Sequence, residues 1–507
     1  MIRAARCSSA SRLGDLLAGI SAVDTELDRV ITGLSIDSRQ IRPGDCFLAC
    51  QGSSQHGREY IDAAVKAGAV AVLAEMEHPS GYIPTRAVPV IAVPQLRSRA
   101  GIIADRFYGH PSSDLTIIGV TGTNGKTSTS HFIAQALNGA RDLGPCGVLG
   151  TLGGGLWPHL DPSGLTTPDP ISLHRLLAGL RDQQARAAVL EVSSHSLAQG
   201  RVAGVSFDLA VFTNLTRDHL DYHGSMETYG QVKRLLFQRP GLRTAIVNLD
   251  DPFSQAILAR LPPSVRALGY TLDPANECAG DHPVICARTV SVMRQGLTME
   301  IVAPAGMGML RSSVLGRFNA YNLLAATVAL MEMGMPFNEA LERLSRVSCV
   351  QGRMECFGGG SDSPLVVIDY AHTPDALAQA LRALREICSS QLWCVFGCGG
   401  ERDPGKRPLM GQVAETLADQ IVLTNDNPRE EAPSAIIRGI LSGLRRPGRI
   451  TVEPDRRKAI EMALSQASQE DAVLIAGKGH EPYQEIQGQR RPFSDREVVC
   501  SILGGHA

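Results

Sequence analysis

Residues 115–127, LTIIGVTGTNGKT, constrain the fold of this chain more than any other stretch. Leu115, Ile117, Ile118 and Val120 form the near-continuous apolar run of a strand buried on both faces. Gly122 and Gly125 then let the backbone turn so that successive N–H groups converge on anionic oxygens. Lys126 adds a mobile cation, and Thr127 offers a hydroxyl to Mg2+ at the start of a helical run through His131, Phe132, Ala134 and Leu137. The strict phosphate-loop pattern has glycine five residues before Gly125; this chain has Val120 there, with glycines at 119 and 122, so the loop is a variant. Read alone, Gly-Lys-Thr is a tight βα turn with a solvated lysine. Nucleotide phosphate binding by Gly122, Thr123, Asn124, Gly125, Lys126 and Thr127 accounts for the whole set together.

At 507 residues the chain is long enough for three domains of about 150 residues each, expected at 1–111, 112–349 and 350–507. A formal net charge of −2, with 44% hydrophobic and 20% charged residues, excludes a disordered or nucleic-acid-coating chain. Any anionic substrate must therefore be held by local charge. No apolar run approaches the ~20 residues that span a bilayer. The start, MIRAARCSSASRL, lacks the apolar core of a secretory leader, so a cytoplasmic protein is expected. Twelve cysteines include no C-x-x-C pair; Cys46 with Cys50 and Cys394 with Cys398 lie in strand-like runs and read as buried free thiols.

Residues 15–110 alternate short apolar runs with helical stretches and read as a small α/β unit. Ser35, Asp37, Ser38 and Arg39 share one polar turn, and QGSSQHGR at 51–58, with His56, forms a second; alone, each is a surface loop. Residues 110–114 read as a linker, and 153–167, rich in Gly, Pro and Thr, as a loop. The strand at 188–192 contains Glu191, a carboxylate costly in such a place unless it is ion-paired or metal-bound; both readings stand. Asp218 and His219 fall just past the strand DLAVFTNL, at the kind of strand end where open α/β sheets place ligands. Lys233 lies on a helical run and alone reads as solvated. Residues 270–313 suggest edge strands, and a long apolar helix starts at Gly316, where Asn319 and Asn322 either cap it or read a base edge. After a hinge at 350–364, four strand–helix units predict a parallel, Rossmann-like sheet. Each strand delivers a polar motif at its end, at 369–375, 399–407, 426–429 and 477–481, and four such ends make one binding rim.

At these residues the chain resembles the Mur ligase family, the ATP-dependent amino-acid-adding enzymes of peptidoglycan synthesis. Residues 121–127 match its variant phosphate loop; 165–170, 191–195, 214–219, 316–322, Gly352 with Arg353, and 369–374 match in order across all three domains. The resemblance implies a three-domain α/β fold: a small substrate-binding N-terminal domain, a central ATPase-type parallel sheet and a Rossmann-like C-terminal domain. It implies that Ser35, Asp37, Ser38, Arg39 and His56 bind the UDP end of a UDP-muramoyl dipeptide, and that Thr166, Thr167, Ser193, Gln199 and Arg201 hold the muramoyl dipeptide. Asn319, Asn322, Arg353, Asp369 and His372 are implied to join the ATP site. Thr127 and Glu191 are implied ligands of one Mg2+, with His219 and a carbamylated Lys233 serving a second. Asp426-Asn427-Pro428-Arg429 matches the sequence associated with diaminopimelate selection, with Arg402, Gly477 and Glu481 completing that site. A lysine-adding relative differs at the arginine, and a folylpolyglutamate synthase-like ligase lacks the UDP-type first domain. The implied partners are small molecules acting on a monomer, with no nucleic acid.

The implied chemistry runs through an acyl phosphate, so removing the loop cation should separate catalysis from substrate binding. Lys126→Ala is expected to abolish ADP release while calorimetry shows binding of the UDP-muramoyl dipeptide nearly unchanged; near-normal turnover would remove Lys126 from this role.

Overall fold

The computed structural model describes residues 10–52, 55–76, 88–162, 164–277, 282–360 and 363–504. The chain start, Ser53 and Ser54 of the second N-terminal loop, and residues 361–362 of the second hinge lie outside them. The first sheet is parallel and four-stranded, β1 (Gly33–Ser35), β2 (Asp45–Ala49), β3 (Ala71–Glu75) and β4 (Val90–Val93), in chain order. Alternate residues serve opposite faces. Leu48, Leu73, Ile91 and Val93 pack with α1 (Leu96–Phe107), and Phe47, Val72 and Val90 form the core on the other side.

The loop expected after Val120 does follow a strand, β5 (Thr116–Thr121), and does open a helix, α2 (Lys126–Leu137). Next come β6 (Cys146–Gly150), β7 (Gly153–Leu156), α3 (Pro170–Asp182), β8 (Ala187–Glu191), β9 (Leu209–Phe212) and α4 (Met226–Arg234). The sheet is completed by β10 (Thr244–Asn248), β11 (Arg266–Thr271), β12 (Val284–Met293), β13 (Gly296–Ala303) and β14 (Gly306–Ser312), before the apolar helix α5 (Arg317–Glu332). The strand order is β14-β13-β12-β11-β10-β9-β5-β8-β6-β7. Pairing is parallel from β12 to β6 and antiparallel for β13, β14 and β7, so 270–313 do extend an edge. β5 lies between β8 and β9, which brings the ends of these three strands together around the phosphate loop.

Two local expectations are corrected. Residues 153–167 do not begin as a loop: Gly153–Leu156 pairs with β6, and position 153 requires glycine both for its φ of +129° and because a Cβ there would collide with the Asp161 carbonyl. Glycine here permits close backbone approach within a strand. Residues 110–114 are not an open linker either, since Pro111–Asp114 form a 3-10 turn with Pro111 and Ser112 buried.

The C-terminal sheet contains β15 (Glu355–Gly358), β16 (Leu365–Asp369), β17 (Leu392–Phe396), β18 (Gln420–Leu423), β19 (Thr451–Val452) and β20 (Ala472–Ala476), in the order β15-β16-β20-β17-β18-β19. The four expected parallel strands are β16, β17, β18 and β20. β15 adds antiparallel, and β19 is a two-residue exposed edge, too short for an apolar pattern. Helices α6 (Pro374–Ile387) and α7 (Lys406–Leu417) carry the crossovers nearest the rim. Behind it, Arg456 and Asp495 are both fully buried and bond in a bidentate manner at 2.7 and 2.8 Å, with Arg456 also donating to the Ala476 carbonyl at 3.0 Å.

Removing one partner of that pair strands a buried charge. Asp495→Ala should cost about 3–5 kcal/mol, read as a lower urea midpoint, whereas Arg456→Met with Asp495→Leu should cost far less. His131 gives a pH signature: it is buried edge-on to Trp157, both ring nitrogens lack a hydrogen-bond partner among the described residues, and burial pushes its pKa down to about 4. Between that value and the unfolded value of 6.5 the unfolded chain binds the extra proton, so stability falls as pH drops through this window and is flat above it. Urea midpoints at pH 7 and 5 should differ less in His131→Gln than in wild type.

Candidate active site

The turn after β5 is built on contacts that leave no room for a side chain. Gly122 (φ +154°) abuts Thr213 Oγ1, and Gly125 (φ +86°) abuts Asn322 Oδ1. Thr213, just past β9, donates to the Asn124 carbonyl at 2.6 Å, and Asn214 accepts from Asn124 N at 2.9 Å, so the end of β9 clamps the loop. Asn319 and Asn322 neither cap α5 nor face outward: Asn319 donates to Leu315 O, and Asn322 binds Asn319 and accepts from Thr129 in the loop's buried support.

Two lysines converge on one carbonyl. Lys126 Nζ donates to the carbonyls of Gly122 (3.0 Å) and Thr123 (2.8 Å), and Lys233 Nζ donates to Gly122 O at 2.7 Å. Lys233 is not solvated as its helical position suggested; it is 1% exposed. Burial, reinforced by Lys126, holds its pKa well below the ordinary lysine value, and burial lowers that of Lys126 as well. The region is thus prepared for anions, since no carboxylate among the described residues lies within ion-pair distance of either amine.

Glu191, fully buried at the end of β8, accepts from Thr127 Oγ1 (2.9 Å), Thr151 Oγ1 (3.0 Å) and Thr151 N (2.8 Å). It has no ion-pair partner among the described residues, which sets aside the ion-paired reading. Thr151 carried no signal in sequence because its role depends on β6 lying beside β8. His219 adopts a left-handed backbone (φ +53°), its ring 3.3 Å from Asp218 and edge-on to His195 at 4.8 Å; burial pushes its pKa down to about 4. At neutral pH its imidazole is therefore uncharged.

The residues that the resemblance implies for the muramoyl dipeptide gather beside Glu191. Thr167 Oγ1 donates to Glu191 O at 2.6 Å and lies 3.3 Å from Ser193 Oγ; Thr166 bonds Thr151. Arg201 grips Gln199 Oε1 at 2.6 and 2.9 Å and Thr167 O at 2.9 Å. An open cleft of about 930 Å³ runs from here to the end of the first sheet, lined by Gln199, Tyr222 and Arg239 on one side and Glu75, Gln95 and Arg97 on the other. Ser35, Asp37, Ser38, Arg39 and His56 do not line it. Ser35 Oγ bonds Asp37 O; Asp37 caps Ser38–Gln40 and pairs with Arg39 at 2.9 Å; His56 caps Gly57–Tyr60. Arg97 links the His56 loop to the cleft through Gln51 O.

The C-terminal sheet reaches the phosphate loop directly. Arg353 NH2 lies 3.4 Å from Thr127 Oγ1, with its guanidinium stacked on Tyr370 at 4.4 Å, and Asn124 Nδ2 donates to Asp375 at 3.1 Å. Asp369 accepts from Met354 N, and its pKa is raised by burial against the pull of Arg353. His372 bonds Tyr370 O, and Lys406 donates to His372 O.

The four polar motifs do share one rim. Asn427 Nδ2 donates to Glu481 Oε2 at 2.7 Å; Gly477 (φ +112°) packs on Asp426; Pro428 O lies against Gly400. Arg429, itself left-handed (φ +53°), donates to Gly400 O and lies 3.7 Å from Glu485. It does not pair with its neighbour Glu431, which Arg407 holds at 2.6 and 2.7 Å. Arg402 is exposed and flanks Gly399 opposite Arg429. Lys478, fully buried behind Glu481, was not foreseen; a lysine between two glycines carries no burial pattern in sequence.

Three family models match successive parts of this chain: the Mur ligase family catalytic domain over residues 30–108, the Mur ligase middle domain over 120–330 and the Mur ligase glutamate ligase domain over 352–479. The UDP-N-acetylmuramoyl-L-alanyl-D-glutamate--2,6-diaminopimelate ligase of Pseudomonas aeruginosa is 49% identical over 480 residues, covering 94% of this chain and 96% of its own. The ligase of the same name from Chromobacterium violaceum is 47% identical over 497 residues, covering 97% and 98%. A solved structure with that ligase name superposes with a TM-score of 0.70 at 37% identity, covering 98% of this chain and 99% of its own. With its strand ends, phosphate loop and rim in this arrangement, the chain belongs to the Mur ligase family.

Proposed function

We propose that the protein is an ATP-dependent, ADP-forming ligase that joins meso-2,6-diaminopimelate to the D-glutamyl residue of UDP-N-acetylmuramoyl-L-alanyl-D-glutamate, a step of peptidoglycan precursor synthesis in the cytoplasm. The observation that carries the amino-acid assignment is the placement on one rim of a cation, Arg429, and a carboxylate, Glu481, the latter bonded to Asn427 two residues before Arg429. Diaminopimelate differs from lysine by a carboxylate beside its distal ammonium. A planar guanidinium grips such a carboxylate with two parallel hydrogen bonds, and Glu481 suits the ammonium. In this reading residues 1–111 hold the uridine end, 112–349 the ATP, and 350–507 the amino acid.

A carboxylate resists attack by an amine because oxide would have to leave. The γ-carboxylate of the glutamyl residue therefore attacks the γ-phosphorus of ATP, ADP departs, the amine adds to the acyl phosphate, and phosphate leaves as the amide forms. A carboxylate must approach a polyanion in the first step, so neutralisation is the largest demand on the site. Lys126 and the loop N–H groups meet that demand at the β and γ phosphates, and Arg353 reaches the same point from the C-terminal sheet. Arg201 and Gln199 orient the dipeptide beside Glu191. Asn124 and Asp375 join the phosphate loop to the C-terminal sheet at 3.1 Å, a contact that would help shield the acyl phosphate from water.

The donor set suits Mg2+: Thr127 and Glu191 present hard oxygens 2.9 Å apart at the end of the phosphate loop. They would hold one ion, which when bound supplies charge neutralisation to the phosphates. Lys233 as an ammonium would oppose a second cation. Its buried amine favours the neutral form that carbon dioxide captures, and as a carbamate it would offer oxygen near Tyr229, whose ring lies 6.2 Å from that of His219.

The test is ADP release by the purified protein with the UDP-muramoyl dipeptide and a panel of amino acids including diaminopimelate and lysine. Turnover is expected with diaminopimelate. Arg429→Ala should lower kcat/KM for diaminopimelate by about 30-fold to 1000-fold while affinities for ATP and the UDP substrate hold, and Arg429→Lys should not restore it. Equal use of lysine by wild type, or full efficiency in the alanine variant, would refute the assignment.

A further inference from the structure

Lys478 lies behind the rim with no access to solvent. Its Nζ donates to Asn427 Oδ1 at 3.0 Å and to Glu481 Oε2 at 3.1 Å, and stands 3.9 Å from Asp426 Oδ1. A dehydrated ammonium persists only where acceptors replace its water, and this one is surrounded by two carboxylates and an amide oxygen. Its hydrogen bonds are therefore spent inside the protein.

The consequences reach both groups that face the amino acid. Glu481 Oε2 receives Lys478 and Asn427 Nδ2 together, whereas Oε1 has no hydrogen-bond donor among the described residues. One oxygen is anchored and the other is free for a ligand. Asn427 Oδ1 is shared between Lys478 and the backbone N–H of Glu485, at 3.0 Å each. Glu485 in turn accepts from Arg429 N at 2.9 Å through its carbonyl, and its carboxylate lies 3.7 Å from Arg429 Nε. A single buried cation thus ties the carboxylate and the guanidinium of the rim into one frame.

We infer that Lys478 is the positioning residue for amino-acid selection. By fixing Glu481 Oε2 and Asn427 Oδ1 it directs Glu481 Oε1 toward the distal ammonium and, through Asn427 and Glu485, sets Arg429 for the distal carboxylate. It touches neither substrate nor reacting atoms. This inference rests on the diaminopimelate reading above.

The experiment is steady-state ADP release by the full chain, wild type against Lys478→Met, varying each substrate in turn. KM for diaminopimelate should rise by about 10-fold to 100-fold, with KM for ATP and the UDP substrate within about 2-fold of wild type. Preference for diaminopimelate over 2-aminopimelate, which lacks the distal ammonium, should narrow by about 10-fold, because Glu481 is no longer aimed. Loss of a counter-ion with only a structural role would instead lower the thermal midpoint and raise all three KM values together, and that outcome overturns the inference. The double variant Lys478→Met, Glu481→Gln removes both charges and keeps the test available if the single variant does not fold. Because part of its effect runs through Glu481, removing Lys478 in the Glu481→Gln background should raise KM for diaminopimelate by a smaller factor than Lys478→Met does in wild type, and an undiminished factor overturns the inference. Wild type that consumes no diaminopimelate overturns the functional reading and this inference together. Wild type that consumes it, with KM for diaminopimelate unchanged in Lys478→Met, overturns the inference alone.

Discussion

The nucleotide end of the molecule depends on backbone contact at Gly122 and Gly125, where Thr213 and Asn322 occupy the space a Cβ would take. That closeness lets the end of β9 and the start of α5 grip the loop from two sides, so its N–H groups are fixed before any ligand arrives. It also brings Lys126 and Lys233 onto the same carbonyl. Two buried amines with no carboxylate within ion-pair distance among the described residues are unfavourable as ammonium ions; in the proposed function phosphate oxygens would relieve Lys126 and carbamylation would relieve Lys233. The cost is carried by the packing of the sheet, where β5, β8 and β9 are buried along nearly their whole length.

The same logic operates with the opposite balance at the C-terminal rim. There the charges are paired internally: Lys478 with Asn427 and Glu481, Arg407 with Glu431, Arg456 with Asp495. A paired network is stiff, and in the proposed function stiffness is what discrimination between two similar amino acids would require. On that reading the phosphate loop would gain from unpaired charge because its ligand is a polyanion, and the rim from paired charge because its ligand is a zwitterion told from its relatives by one group.

Much of this architecture was legible in sequence. Apolar runs of strand length, separated by helical stretches, located the strands of the parallel sheets, and polar motifs after four of those runs located the rim. The phosphate loop was legible because glycine, lysine and threonine at fixed spacing serve one local geometry. Less visible was anything whose meaning depends on a neighbour far along the chain. Gly153–Leu156 read as loop because glycine signals turns locally, yet it is an edge strand whose glycines admit the Asp161 backbone. Lys233 read as solvated because helical position says nothing of what the helix packs against.

The sequence by itself determined most of the buried strands and longer helices, their order, the variant phosphate loop and the identity of the residues at the strand ends, because these follow from side-chain periodicity and local backbone preference. Only the tertiary structure decided which groups are paired. Glu191 is bonded by Thr127 and Thr151, and Arg429 is held by Gly400 and Glu485 while Glu431 goes to Arg407. Asn319 and Asn322 support the loop from within, and Lys478 is buried behind Glu481. Pairing and burial are set by distances between segments tens to hundreds of residues apart, and those distances exist only once the sheets have formed.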